Sequence, residues 1–282
     1  MKIKPENLNI ILNLDQAELS LKSTFSNYAW CLKQIREKLM HSVTLQTHDK
    51  NRIDAVHYQE GFKKVIILAH GFFNAKDAYL FREIAKEFAL HYDVVAFDFR
   101  GHGKSSGLFT WTSKECADLK AVIDYVKEFK YESIGLIGFS LGAAISLIET
   151  AQNPDIKTLI AVSAPYDFWK IDYNFWKRGM FDDLMLNFGY KAKGKGVRSS
   201  HPWGAKIAPI DIVDRISPRP VLFIHGSEDW LIDPRHSRKL FNKAKEPKEL
   251  IILENLGHAE TMFDQQRDMF MTPCLNWFKE HL

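Results

Sequence analysis

Short apolar runs recur along most of this chain, separated by segments whose apolar residues return at helical spacing. Val43–Thr47 and Ile53–Tyr58 read as two strands of a hairpin, with Lys50-Asn51 in the turn. Val65–Ala69, Val94–Phe97, Ile134–Ile137, Thr158–Ser163, Val221–Ile224 and Leu250–Leu253 are strongly apolar, the pattern of strands buried on both faces of a parallel sheet. Helical patterns over Asp77–Leu90, Thr112–Phe129, Ala143–Gln152, Pro234–Ala244 and roughly Glu260–Lys279 alternate with them, Thr112 or Ser113 serving as one cap. This alternation predicts a doubly wound, mostly parallel α/β sheet.

Two segments stand outside the alternation. Over residues 15–40, Leu19, Leu21, Phe25, Tyr28, Leu32, Ile35 and Leu39 recur at near-helical spacing among Lys22, Lys33, Arg36, Glu37 and Lys38. That is an extra amphipathic helix. A membrane surface is one place for it, but a polar face of mixed sign fits packing on the main domain better. The stretch between Ser163 and Val221 is far longer than one crossover needs. It is rich in aromatics, among them Tyr166, Phe168, Trp169, Tyr173, Phe175, Trp176, Phe181, Phe188, Tyr190 and Trp203. A helical lid over the carboxyl edge of the sheet is expected there. The organisation is thus an N-terminal extension over 1–42, a core from 43–164 and 218–282, and a lid insertion over 165–217.

Composition adds exclusions. The 282 residues are 46% hydrophobic and 26% charged with a formal net charge of +3, too little excess for a nucleic-acid partner. Cys31, Cys116 and Cys274 are odd in number and widely spaced, which fits free thiols rather than a disulfide framework. The first residues show no secretory leader, and no run is long enough to span a bilayer. A cytoplasmic protein without stable membrane insertion is expected.

Polar motifs fall where the apolar strands end. In open α/β sheets that edge holds the ligand. Ile134–Ile137 runs into Gly138-Phe139-Ser140-Leu141-Gly142 and then into a helix. Strand, tight turn and helix around Gly-x-Ser-x-Gly form a nucleophile elbow, in which Ser140 takes a strained backbone angle and both glycines let strand and helix close up. A serine hydroxyl needs a base, and the base needs an orienting acid. In this topology the order is Ser, acid, His. Asp229 follows the strand Val221–Ile224 and His258 follows Leu250–Leu253, so Ser140, Asp229 and His258 are the candidate triad. Asp233 precedes Pro234 and reads as a helix cap, Glu228 is offset by one residue, and His70 and His225 read as loop braces. The backbone N–H of Leu141 and that of Phe72, with Phe73 second, are the candidate oxyanion donors. Phe73, Phe139, Phe168, Trp169, Trp176 and Trp230 are candidate substrate contacts. A P-loop mimic at Gly189–Lys195 has Gly196 where the magnesium-binding hydroxyl belongs, and Lys191, Lys193, Lys195 and Arg198 read as a solvated basic loop. No His-Glu-x-x-His or paired-cysteine spacing points to a metal.

Taken together, His70-Gly71-Phe72, Asp98-Phe99-Arg100-Gly101-His102-Gly103-Lys104-Ser105, Gly138–Gly142, His225-Gly226-Ser227-Glu228-Asp229 and Gly257-His258 resemble the serine hydrolases of the α/β-hydrolase fold superfamily. The resemblance covers roughly residues 43–282. The nearest subgroups are lidded carboxylesterases, including cinnamoyl/feruloyl esterase-like proteins, and monoglyceride lipase-like proteins. It implies an eight-stranded hydrolase sheet, a small-molecule ester substrate, an acyl-enzyme and no cofactor, with the Asp98–Ser105 turn mainly structural. Thioesterase, acyltransferase, peptidase and carbon–carbon bond hydrolase chemistry would use the same triad. A non-catalytic ligand-binding protein of the same fold is the alternative of another class. The lid matches none of these subgroups, and residues 1–42 have no counterpart in the minimal fold.

Overall fold

The apolar runs become one eight-stranded sheet in the computed structural model, which describes residues 40–171, 180, 193–201, 204 and 206–282. The chain divides into two compact units, Met1–His41 and Ser42–Leu282. The core and the site below belong to the second. The expected helix over 15–40 and most of the expected lid, Trp176 included, lie outside the described residues.

The strands are β1 (Met40–Gln46), β2 (Arg52–Tyr58), β3 (Lys64–Ala69), β4 (Asp93–Phe97), β5 (Ser133–Phe139), β6 (Ile156–Val162), β7 (Val221–Gly226) and β8 (Lys248–Leu253). Their order across the sheet is β1-β2-β4-β3-β5-β6-β7-β8. β2 pairs antiparallel with β4, and the pairings from β4 through β8 are parallel. The predicted hairpin is present, closed by bonds between Thr47 and Asn51. From β3 the chain steps outward to β4, then returns past β3 to form β5. The crevice between the carboxyl ends of β3 and β5 is therefore the topological switch point, where such sheets hold their ligands.

The described helices are α1 (Tyr79–Phe88), α2 (Glu115–Lys127), α3 (Leu141–Gln152), α4 (Pro209–Ile212), α5 (Arg235–Lys243), α6 (Thr261–Gln265) and α7 (Arg267–His281). Strand side chains alternate between two cores, as a period of two demands. Ile66, Leu68 and Ile137 pack with Phe81 and Phe88 of α1 and Phe270 and Phe278 of α7. Val65, Ile67 and Leu136 pack with Leu119 and Val122 of α2 and Ile145 and Leu147 of α3. Burying each such side chain contributes about 1.5–3 kcal/mol, which offsets the ordering of the chain. Val213 and Ile216 join the second core, so the end of the 165–217 segment forms a wall of the main domain. Among the described residues no helix is long and apolar enough to cross a membrane.

Three helix boundaries differ from expectation. α1 begins at Tyr79 rather than Asp77, with Ala78 at the cap position; the Asp77 carboxylate lies before the helix and pairs with Lys76 and Lys104. α2 begins at Glu115 because Trp111 and Thr112 have positive φ, outside the helical region. The last helix is interrupted at Gln266 (φ −149, ψ 80), where no glycine or proline marks the break. Pro273 lies inside α7 instead. Its missing N–H falls opposite the carbonyl of Met269, one turn earlier.

Candidate active site

β5 ends at Phe139, and α3 begins at Leu141, so Ser140 is the whole turn between them. Its φ of 51° and ψ of −113° place a non-glycine residue in the positive-φ region. Strain of that kind costs about 1–3 kcal/mol and persists only where the surroundings enforce it. Here they do. A Cβ on Gly138 would stand 2.5 Å from Gly142 O and from Ser146 Oγ, and one on Gly142 would stand 2.4 Å from the carbonyl oxygens of Ala69 and His70. Strand and helix close through the two glycines the motif supplies. Gly138→Ala is expected to cost about 3 kcal/mol through overpacking, read as a lowered urea midpoint. A midpoint equal to wild type would mean the elbow is not this tightly closed.

The loop after β3 meets the elbow. A Cβ on Gly71 would lie 3.3 Å from Ser140 Cβ, so the loop after β3 touches the serine directly. His70 is fully buried and sets that loop. The N–H of Phe99 donates to His70 Nε2 at 3.0 Å, which leaves the proton on Nδ1 to donate to Gly71 O at 2.7 Å. Burial pushes the His70 pKa down to about 4, so the ring keeps this neutral tautomer. Gly71 O also accepts from Asn74 N at 3.3 Å. With that carbonyl pinned, the planar peptide turns the Phe72 N–H the opposite way. Leu141 opens α3, where an N–H has no intrahelical acceptor.

The loop after β7 carries Asp229, and the loop after β8 carries His258. They are bonded together by Ser227 N to Leu253 O and Glu228 N to Leu256 O, both 2.9 Å. Gly226 lets them approach, since a Cβ there would meet Gly257 O at 2.2 Å. His258 Nδ1 donates to Asp229 Oδ2 at 2.7 Å. Asp229 Oδ1 accepts the N–H groups of Leu231 and Ile232 at 3.0 and 2.8 Å. His225 Nε2 lies 2.8 Å from Ile232 O and 3.1 Å from Asp229 Oδ2, while its Nδ1 accepts from Ser237 Oγ at 2.7 Å. Burial alone would raise the Asp229 carboxyl. Attraction to His258 and the hydrogen bonds from His225 and His258 overcome it and hold the group far below the usual carboxylate range.

The end of β6 joins the serine and histidine loops. Ser140 N donates to Val162 O at 2.8 Å, and the next residue, Ser163, accepts Ala259 N on its hydroxyl at 3.1 Å. Ser140 and His258 are therefore anchored to consecutive residues at one strand end, and each is at least nine-tenths buried.

The remaining sequence candidates separate. Asp233 is displaced from the expected cap: Pro234 takes the cap position of α5, which begins at Arg235, and the Asp233 carboxylate accepts Arg235 N at 3.0 Å from one residue further out. Asp98 is structural: it accepts the backbone N–H groups of Lys76 and Lys104 and binds the Lys76 ammonium at 3.1 Å. Phe72, Phe73 and Trp169 expose large apolar surface, and Phe168 is partly buried. Trp111 lies between Phe72 and Phe168, with ring centroids 5.7 and 5.6 Å away. Phe139 is a correction. It is fully buried edge-on to Phe81 and in contact with Phe270, so it offers no face to a substrate. The basic loop is corrected at one position: the Lys195 side chain is 7% exposed beside Glu260, while Lys193 and Arg198 are exposed as expected, the Arg198 guanidinium bonding the carbonyls of Gly103 and Ser105, and Lys191 lies outside the described residues. Sequence reasoning missed Ser163, Asn74 and Glu260 as supports. Their only signal was adjacency to the strand ends.

Similarity to known proteins follows the same outline. The model of the α/β hydrolase fold family matches residues 64–197. The YfhR protein of Escherichia coli O157:H7, itself uncharacterised, is 26% identical over 195 residues, which are 66% of this chain and 60% of that protein's length. The esterase Pf2001 of Pyrococcus furiosus superposes with a TM-score of 0.68 at 23% identity, covering 86% of this chain and 92% of its own. Est1E of Butyrivibrio proteoclasticus, solved with ferulic acid bound, superposes at 0.63 with 19% identity, covering 85% and 99%. The chain has the α/β-hydrolase fold, and the family model spans just under half of its length.

Proposed function

We propose that this protein is a serine hydrolase that cleaves carboxylic esters through an acyl-enzyme on Ser140. The 2.7 Å bond from His258 to a buried, ionised Asp229, on the sheet edge that presents Ser140 in a positive-φ turn, carries the reading. The esterase names of Pf2001 and the ferulic acid in Est1E support it by fold likeness.

Ser140 Oγ attacks the ester carbonyl carbon, and its proton passes to His258 Nε2. Asp229 keeps the histidine proton on Nδ1 and stabilises the imidazolium that forms. The N–H groups of Phe72 and Leu141 hold the tetrahedral oxyanion. The bond to the leaving oxygen breaks as His258 returns the proton to it. Water, giving its proton to His258, then attacks the acyl carbon, and His258 passes that proton to Ser140 Oγ as the bond between Oγ and the acyl carbon breaks. Bond making and breaking balance with water alone.

A cleft of 350 Å³ runs beside α3, lined by Ala144, Ile148, Phe168, Trp169 and Pro209. Ala144 lies one turn past Ser140. The cleft's aromatic walls at Phe168 and Trp169 favour an apolar or aromatic acyl or alcohol group, with Asp167, Lys206 and Asp211 completing a polar side of the same cleft. A panel of p-nitrophenyl esters, aryl esters, thioesters and peptide amides tests the class. Higher kcat/KM on aryl and medium-chain esters than on acetate and amides is expected. Preference for thioesters or amides would move the protein to another reaction of the same triad.

A further inference from the structure

Glu260 lies two residues past His258 and is 8% exposed. One oxygen, Oε1, accepts the side-chain N–H of Asn74 and lies 3.6 Å from the Lys195 ammonium. Asn74 belongs to the loop that presents the Phe72 N–H: its backbone N–H donates to Gly71 O, its side chain is buried, and its Oδ1 has no hydrogen-bond partner among the described residues. Lys195 belongs to the leg of the 165–217 segment that returns toward the core. That leg is seated on the same loops, with Gly196 N donating to Phe73 O at 3.2 Å, Val197 bridged to His102, and Arg198 N donating to Gly101 O at 2.7 Å.

We propose that the Lys195–Glu260 pair is a latch that couples the inserted segment to catalysis, its two members acting as positioning residues for the oxyanion loop and for His258. This rests on the serine-hydrolase reading above. Neither residue touches the reacting atoms. A buried carboxylate needs its cation and its donors together. Glu260 bonds the Asn74 side chain while lying on the His258 loop. Withdraw Lys195, and the charge that keeps Glu260 facing Asn74 is lost. Release Glu260, and the buried Asn74 amide loses its acceptor, so the turn that pins Gly71 O loosens. The seat of the insertion is thereby read at the Phe72 N–H and at the imidazole. Such shifts of well under an ångström to an ångström act on the transition state more than on substrate binding.

The test uses the full chain as wild type, Lys195→Met, Glu260→Ala, which removes the acceptor of the Asn74 amide, the double variant and Lys195→Arg. Each is measured for kcat and KM on p-nitrophenyl butyrate, for melting temperature and for phosphonylation by a fluorophosphonate. Each single neutral variant is expected to lose about tenfold or more in kcat with KM little changed, because the misplacement falls on the reacting geometry. The double variant should fall no further than the worse single, and Lys195→Arg should keep most of the rate. If Glu260→Ala does not fold, Glu260→Asp, which keeps the charge and withdraws it by one methylene, should show the kcat loss instead. Wild-type kcat in the folded variants, losses that multiply in the double, or a change confined to KM would each overturn the latch. A wild-type protein that neither hydrolyses the ester nor labels on Ser140 would overturn the hydrolase reading and the latch with it. A wild type that does both while the variants match it would remove the latch alone.

Discussion

Ser140→Ala is expected to abolish ester hydrolysis, with kcat falling on the order of 10⁴- to 10⁶-fold toward the level set by binding and the oxyanion donors. The fold should not pay for it. Alanine keeps the Cβ, so the positive-φ strain at position 140 is unchanged, and the backbone bond from residue 140 N to Val162 O remains. The hydroxyl alone is lost. Circular dichroism and melting temperature should therefore match wild type. Turnover that persists in the folded variant would assign the hydrolysis to another group.

Asp229→Asn should lower kcat by about 10³- to 10⁴-fold, by a different route. Oδ1 of Asp229 accepts two backbone N–H groups, a task an amide oxygen also performs. The loop would thus hold the new side chain with its NH₂ facing His258 Nδ1 and His225 Nε2, the two groups now facing Oδ2. Both imidazoles would meet a donor where they now meet an acceptor. His258 would turn its proton to Nε2, the atom that must receive the serine proton. The acid is also held ionised well below ordinary carboxylate titration, so the acid limb of a wild-type pH–rate profile should belong to the imidazole rather than to Asp229. A folded Asp229→Asn variant with kcat within tenfold of wild type would show that another carboxylate orients the histidine.

The strands were the most legible part of the chain. Runs such as Val65–Ala69 are apolar at every position because both sheet faces are covered, and no polar residue blurs them. The elbow was legible for a related reason: Gly138 and Gly142 stand where any Cβ would meet backbone, so the constraint is written into residue type. Asp229 and His258 could be chosen from order alone, since each must lie beyond its own strand. Helix starts were less legible. Thr112 is a good cap by chemistry, but the packing of Trp111 between Phe109 and Phe168 goes with a backbone that a helix cannot use. Long-range supports were illegible. Lys195 reads as one cation of a basic run, and only the folded chain puts it against Glu260 and out of water. Phe139 erred in the other direction, because nearness to Ser140 in sequence does not say that successive strand side chains point to opposite faces.

The most direct measurement is peptide mass mapping after treatment with a fluorophosphonate, on wild type and on Ser140→Ala. A single adduct on the peptide holding Ser140, lost in the alanine variant together with ester turnover, is the expected result. An adduct on a different residue, or esterase activity that survives when Ser140 is gone, would contradict it.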